Sequence, residues 1–305
     1  MMKTQTKLQK GTRTILKEAC EKVEGFQKVI EAMEEKMLLA DLSPSTTTNY
    51  TRSLAQLSLF FSKLPQDISE NEVNKYLMDL ARKPNELSRS SFKLLVYSLR
   101  YYYRLIGITD RVVQLPVIKH KTKLPVVLNY AECKALFRGP TSLRDRILLV
   151  VMYSCGLRTG EVSRLKIQDI DSGRMMIHVH QSKGRKDRYV PISPLILPPL
   201  REYYKIYRPV NYLFNGCKSG FPLSRQGIQS IFQAAVKKCN ILKRVSPHTL
   251  RHTYATHLLE FGMDIVTIKE LLGHERIETT MVYLHVAMLN RSNLFSPFDR
   301  LYQKP

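Results

Sequence analysis

From Val29 to Gly107 apolar residues recur every three or four positions, and nowhere do they alternate as a half-buried strand requires. A stretch of that length with a single period has one economical solution, a small bundle of helices that bury their apolar stripes against one another. Ser69 followed by Glu72 has the capping-box pattern and opens a helix carrying Val73, Tyr76, Leu77 and Leu80. A second helix sets Phe92, Leu95, Val96, Leu99, Tyr103 and Ile106 on one stripe, with Gly107 placed to end it. These stripes are expected to be core. The preceding residues, 1–27, mix charges of both signs with modest helical character and read as an extension, either an arm or a disordered start.

After the helical block, residues 109–123 lose periodicity and collect Pro116, Lys119, His120, Lys121 and Lys123, which reads as a basic linker. Such a linker suits contact with a phosphate backbone, and equally a solvated connection. A second domain, 124–305, opens where Asn129 and Glu132 form a second capping pair. It continues with the apolar helix RILLVVMYSC, ended by Gly156. Within it MMIHVH and RYVPI have strand composition, and the QSKGRKD between them holds the glycine of a tight turn, so a β-hairpin carrying Lys183, Arg185 and Lys186 is expected. Helical patterns resume to the end. The fold class is therefore mainly α: an all-α domain followed by an α+β domain with a small β-hairpin sheet.

Charge restricts the partner. Forty-eight lysines and arginines against 26 acidic residues give a formal net charge of +22, which calls for a polyanion. The basic residues are spread along the chain rather than gathered into one amphipathic helix or juxtamembrane run, so nucleic acid is favoured over a membrane surface. The stretch LRYYYRLIG, with Arg100 and Arg104 among Tyr101, Tyr102 and Tyr103, suits a DNA-facing helix and equally a packed helix with solvated charges. No apolar run is long enough to span a membrane and no secretory leader is evident, so a cytoplasmic location is expected. The five scattered cysteines indicate neither a disulfide framework nor a metal ribbon.

Three segments offer chemistry. SCGLRTGEVSRLK sets Arg158 at a helix junction, just past Gly156 and before Thr159, a good N-cap residue for a helix with Glu161, Val162 and Leu165. A guanidinium beside a helix N-terminus makes an anion site, although an arginine there is as readily solvated or paired to Glu161. SPHTLRHTYATHLLEFG opens with Pro247 in a first helical turn and puts His248 and Arg251 on one face. His248, His252 and His257 lack the glutamate of an HExxH pattern and have no cysteine nearby, so no metal is expected there. DIVTIKELLGHERIETTMVYLHV gives an amphipathic helix ended by Gly273, then His274, then a helix with Tyr283, which from this segment alone reads as a core tyrosine.

Taken together, LRTGE, a lysine-bearing hairpin, HTLRH, LLGH and a tyrosine nine residues beyond that last histidine resemble the tyrosine recombinase (phage integrase) family, in an Xer-like form. The resemblance runs from about Lys123 to the end, and the helical region with SPSTTTNYTRSLAQLSLFF resembles that family's core-binding domain. It implies that Arg158 and Arg251 bind phosphate and that Lys183 is the hairpin lysine, with Lys186 and Arg185 in the same turn. It further makes His248 the first histidine of HxxR, His274 the histidine of the Gly-His turn, Tyr283 the nucleophile and Glu161 the supporting acid.

The implied activity is site-specific DNA strand transfer through a 3'-phosphotyrosyl intermediate, independent of metal, cofactor and ATP. The two arginines and a histidine would stabilise the charge gathering on phosphorus, His248 would take the phenolic proton and Lys183 would protonate the leaving oxygen. The implied partners are double-stranded DNA, clamped between the two domains, and three further copies in a homo-tetramer. The tail from His285, with Leu289, Leu294, Phe295, Phe298 and Leu301, would dock on a neighbouring protomer, or else pack on its own domain. Two other readings remain open at this point: a non-catalytic DNA-binding accessory protein, and a type IB topoisomerase with the same chemistry.

Overall fold

The structure is a computed structural model and describes residues 12–82, 89–108, 124–180 and 187–287. The linker 109–123, the hairpin tip with Lys183, Arg185 and Lys186, and the tail from residue 288 lie outside the described residues. The chain divides into two compact units, Met1–His120 and Lys121–Pro305.

The described part of the first unit has helices and no strand: α1 (Thr12–Lys22), α2 (Phe26–Leu39), α3 (Pro44–Phe61), α4 (Glu70–Arg82) and α5 (Arg89–Leu105). The expected capping box is present, with the Ser69 backbone N–H donating to Glu72 at 2.8 Å and the Glu72 N–H returning to the serine hydroxyl at 3.3 Å. Its core joins Leu54, Leu57, Val73, Leu77, Val96 and Leu99. Two details differ from the sequence reading. Residues 14–23, expected to belong to an extension, bury Ile15, Ala19 and Val23 in that same core, because an apolar residue at every fourth position gives α1 one narrow stripe to set against α3. Ile106, expected on the core stripe of α5, is 40% exposed, since the helix has ended at Leu105 and the chain turns through Gly107.

The second unit begins with α6 (Tyr130–Arg138), opened by a reciprocal capping box between Asn129 and Glu132. Helix α7 (Leu143–Ser154) follows and is buried on most sides, as its nearly continuous apolar run requires. Gly156 ends it with φ +58°, a conformation that suits glycine, and a Cβ there would lie 2.5 Å from the ring of Tyr254. The chain then forms α8 (Thr159–Arg164), whose N-cap is Arg158 rather than Thr159: Glu161, at the third helical position, reaches back to the Arg158 backbone N–H at 2.8 Å.

A three-stranded antiparallel sheet follows, in the order β1 (Ile170–Asp171), β2 (Met176–Val179), β3 (Arg188–Pro191). The β2–β3 hairpin is the expected one, in the register Ile177 opposite Val190. The two-residue β1 was not anticipated, being too short to show alternation. Helices α9 (Leu197–Tyr207), α10 (Arg225–Lys238), α11 (Pro247–Glu260), α12 (Ile265–Leu272) and α13 (Glu278–Met281) follow among the described residues, and α13 runs into a 3₁₀ turn, Val282–His285. α11 buries residues on every face, including Leu250, Arg251, Thr253 and His257, so it is the central post on which the site is built.

Candidate active site

Helix α12 ends at Gly273, whose φ of +62° turns the chain and leaves the last carbonyls of the helix without intrahelical partners. Three arginines take them. Arg188 Nε donates to Leu271 O at 2.8 Å, Arg251 Nη2 donates to Leu272 O, and Arg158 Nη2 donates to Gly273 O at 3.3 Å. Arg251 Nη1 adds the Gly156 carbonyl at the end of α7, at 2.8 Å. The partial negative charge of helix C-termini therefore holds three cations side by side that would otherwise repel one another.

One carboxylate completes the arrangement. Glu161 is 6% exposed and accepts from Arg188 through both oxygens, at 2.9 and 2.8 Å, and from Arg158 Nη1 at 2.8 Å, with Arg251 Nη1 at 3.8 Å. Burial alone would raise its pKa, but the hydrogen bonds and charge of Arg188, then Arg158 and Arg251, hold it at about 2. Three guanidiniums against one carboxylate leave the site positive. Arg251 is fully buried, and desolvation followed by the charge of Arg158 lowers its pKa to about 9, which still leaves it charged at neutral pH. Its Nε finds no acceptor among the described residues.

The histidines sit around this cluster. His248, one turn before Arg251 on α11, is exposed; desolvation, then Arg251 and Arg158, hold its pKa below the ordinary value. His274 follows Gly273 directly, and its Nδ1 lies 2.8 Å from the buried Thr280 hydroxyl. Desolvation and then the two arginines lower its pKa to about 3, so it is a neutral imidazole with Nδ1 engaged by the Thr280 hydroxyl.

Tyr283 lies on the 3₁₀ turn and is 2% exposed. Burial raises its pKa while Arg251 and Arg158 pull it down, so the phenol stands within electrostatic reach of both guanidiniums. The histidine that touches it is His252, with Nδ1 3.0 Å from the hydroxyl. His252 has its pKa lowered to about 4 by desolvation, His248 and Arg251, which leaves the ring neutral.

Of the residues singled out in the sequence, Arg158, Glu161, His248, Arg251, His274 and Tyr283 therefore converge, whereas Lys183 lies outside the described residues. His257 is elsewhere, buried with Nδ1 2.8 Å from the Tyr153 hydroxyl. Two participants were missed. Arg188 is a strand arginine 27 positions from its carboxylate, and its only sequence signal is a charge at an inward position of RYVPI. His252 is visible in HTLRH, one residue past the arginine, but nothing in the sequence ties it to the tyrosine.

Comparison with known proteins places this geometry in context. Residues 120–290 match the phage integrase family, and residues 29–110 match the phage integrase N-terminal SAM-like domain. The tyrosine recombinase XerC of Lacticaseibacillus casei (strain BL23) is 31% identical over 300 residues, covering 90% of this chain and 97% of its own. The tyrosine recombinase XerA of Thermococcus kodakarensis is 34% identical over 265 residues, covering 85% and 91%. Among solved structures, the XerH recombinase in a post-cleavage complex with a palindromic difH substrate superposes with a TM-score of 0.67 at 20% identity, over 91% of both chains, a likeness of fold.

Proposed function

This chain belongs to the phage integrase family, the tyrosine recombinases, and from that premise we propose how its own residues divide the work. The protein is a site-specific DNA recombinase. The single observation that carries the assignment of roles is the set of three arginines bound to one helix C-terminus and one buried glutamate, with a phenol and three histidines around it.

Attack on a phosphodiester adds negative charge to the non-bridging oxygens, so cations fixed in advance stabilise the transition state more than the ground state. Arg158 and Arg251 serve as the phosphate-binding pair. Arg188 and Glu161 position them: the carboxylate draws the guanidiniums together and the strand arginine balances it. His248 and His274 are the neutral donors beside the pair.

Tyr283 is the nucleophile. Ionising a free phenol at pH 7 costs roughly 4 kcal/mol, and the two guanidiniums offset part of it. His252, at 3.0 Å, is the proton acceptor in this arrangement, a role the sequence had suggested for His248. Its low pKa rises when a phosphate brings negative charge beside Arg251. Lys183, or its neighbour Lys186, protonates the departing 5'-oxygen. The phosphotyrosyl bond conserves the energy of the broken diester, so a second 5'-hydroxyl reverses the step and rejoins the strand. Residues 28–108 act as the core-binding domain and 124–305 as the catalytic domain, joined by the basic linker, with double-stranded DNA as substrate. Assembly is as a homo-tetramer on two synapsed sites, in the cytoplasm; among the described residues no helix is long and apolar enough to cross a membrane.

The experiment is covalent trapping on nicked duplexes drawn from the DNA that flanks the gene. The chain forms a protease-sensitive 3' adduct, and Tyr283→Phe forms none. An adduct formed equally by the Phe variant refutes the assignment, and relaxation of a plasmid with no recognition site would point instead to a topoisomerase.

A further inference from the structure

On the hairpin, where Asp187 directly precedes Arg188, three potential ligands meet. His178 and His180 lie on one face of β2 and just past its end, two residues apart, and Asp187 precedes β3. The two imidazole rings are 3.9 Å apart between centroids, His178 Nε2 is 3.1 Å from Asp187 Oδ2, and His180 Nδ1 is 3.5 Å from the same oxygen. The three ligand atoms lie within 4.8 Å of one another.

A second layer fixes one of these rings. His180 Nε2 is 2.8 Å from Oδ1 of Asp169, a carboxylate whose side chain is only 3% exposed and whose other oxygen accepts the Lys166 backbone N–H at 2.8 Å. The Asp169 carboxylate thus stands behind Nε2, and Nδ1 faces the Asp187 carboxylate. A carboxylate behind one nitrogen of a histidine, with the other nitrogen turned to a shared centre, is the arrangement by which proteins orient metal-binding imidazoles. The spacing fits as well: with bonds of ~2.0–2.1 Å, ligand atoms around a tetrahedral zinc stand ~3.3 Å apart, against the 3.1 and 3.5 Å found here. His178 is held in turn by stacking on Tyr189, at 4.6 Å and 10° between planes. Both His180 and Asp187 have side chains 46% exposed, so an ion reaches them from solvent, and a cavity of about 420 Å³ opens beside them.

We propose that His178 Nε2, His180 Nδ1 and Asp187 Oδ2 bind a divalent transition-metal ion of the zinc class, with Asp169 orienting His180 from behind. Two imidazoles and a carboxylate favour that class over magnesium or calcium, which take oxygen ligands. The ion ties the end of β2 to the start of β3. It takes no part in the strand-transfer step.

The test is Zn²⁺ binding to the full chain, read by competition with a chromophoric chelator, with Co²⁺ substituted to give a visible absorption. One equivalent binds, with Kd in the micromolar range or tighter. His180→Gln and Asp187→Asn each weaken it at least tenfold, and Asp169→Asn weakens it by about 10–100-fold. Cys217→Ser, which removes an exposed thiol that could bind the same ions, leaves binding as it was. Zn²⁺ raises the unfolding midpoint of the wild-type chain but not of the His178→Gln/His180→Gln double variant, which in chelator unfolds like wild type and so reports on the ion rather than on folding. Absence of a stoichiometric site, a double variant that binds as the wild type does, or binding lost only with Cys217 would each overturn the proposal.

Discussion

The arginine cluster and the tyrosine turn are neighbours held in opposite ways. Arg158, Arg188 and Arg251 are anchored to consecutive carbonyls of α12 and to a carboxylate buried among them, so their positions are set by two helix ends and a strand. Tyr283 sits on a short 3₁₀ turn after a four-residue helix, with its hydroxyl hydrogen-bonded to one histidine. The groups proposed to receive developing charge are held by several hydrogen bonds each. Tyr283, the nucleophile in the mechanism proposed, is held by packing and by one side-chain hydrogen bond. In the mechanism proposed, this division pairs a preorganised electrostatic floor with a nucleophile under fewer polar restraints.

The contrast can be broken most severely at Glu161. Glu161→Ala leaves Arg188 and Arg251 buried without their counter-charge, and the second unit should lose about 3–5 kcal/mol of stability in urea unfolding. A loss under 1 kcal/mol would mean that the helix carbonyls alone organise the cluster. Arg158, with its side chain 23% exposed, is the member closest to solvent, so Arg158→Ala should separate chemistry from folding. Single-turnover cleavage should fall about 10²–10³-fold, while the unfolding midpoint moves far less than for Glu161→Ala.

Acid sharpens the same point. The Glu161 pKa, about 2 when folded, is depressed below its unfolded value, so the stabilisation it provides is present above the ordinary carboxylate range and lost as pH falls toward 2. A shift of that size is worth roughly 3 kcal/mol, visible as a falling unfolding free energy between about pH 4.5 and 2 that Glu161→Gln removes. On the tyrosine side, His252→Leu should slow adduct formation about 10²-fold at pH 7 and recover as pH rises, because a phenol without its acceptor depends on hydroxide. A pH-independent loss would reduce His252 to a packing partner.

Much of this was legible beforehand, for physical reasons. Arg158, Glu161, His248, Arg251, His274 and Tyr283 lie in short segments whose helix ends, at Gly156 and Gly273, are written in the chain, so their local frames follow from capping and periodicity. The six converge because α11 passes through the middle of the unit. Arg188 escaped because its partner is across the sheet, and an alternating strand does not disclose that an inward arginine meets a carboxylate. The phenol's partner escaped because His248 and His252 lie on the same side of α11, with rings 4.6 Å apart, and only tertiary packing chooses between them. The helical stripe of α1 was overlooked because three small or branched residues, Ile15, Ala19 and Val23, carry it amid many charges.

The central claim is that a phenolic oxygen becomes bonded to DNA beside a fixed cluster of guanidiniums. Its most direct test is to trap the adduct, digest both components and locate the linkage by tandem mass spectrometry. The mass of a nucleotide 3'-phosphate is expected on the peptide containing Tyr283, and on no peptide from Arg158→Ala trapped for the same short time. The same mass on a different residue, with Tyr283 unmodified, would contradict the account.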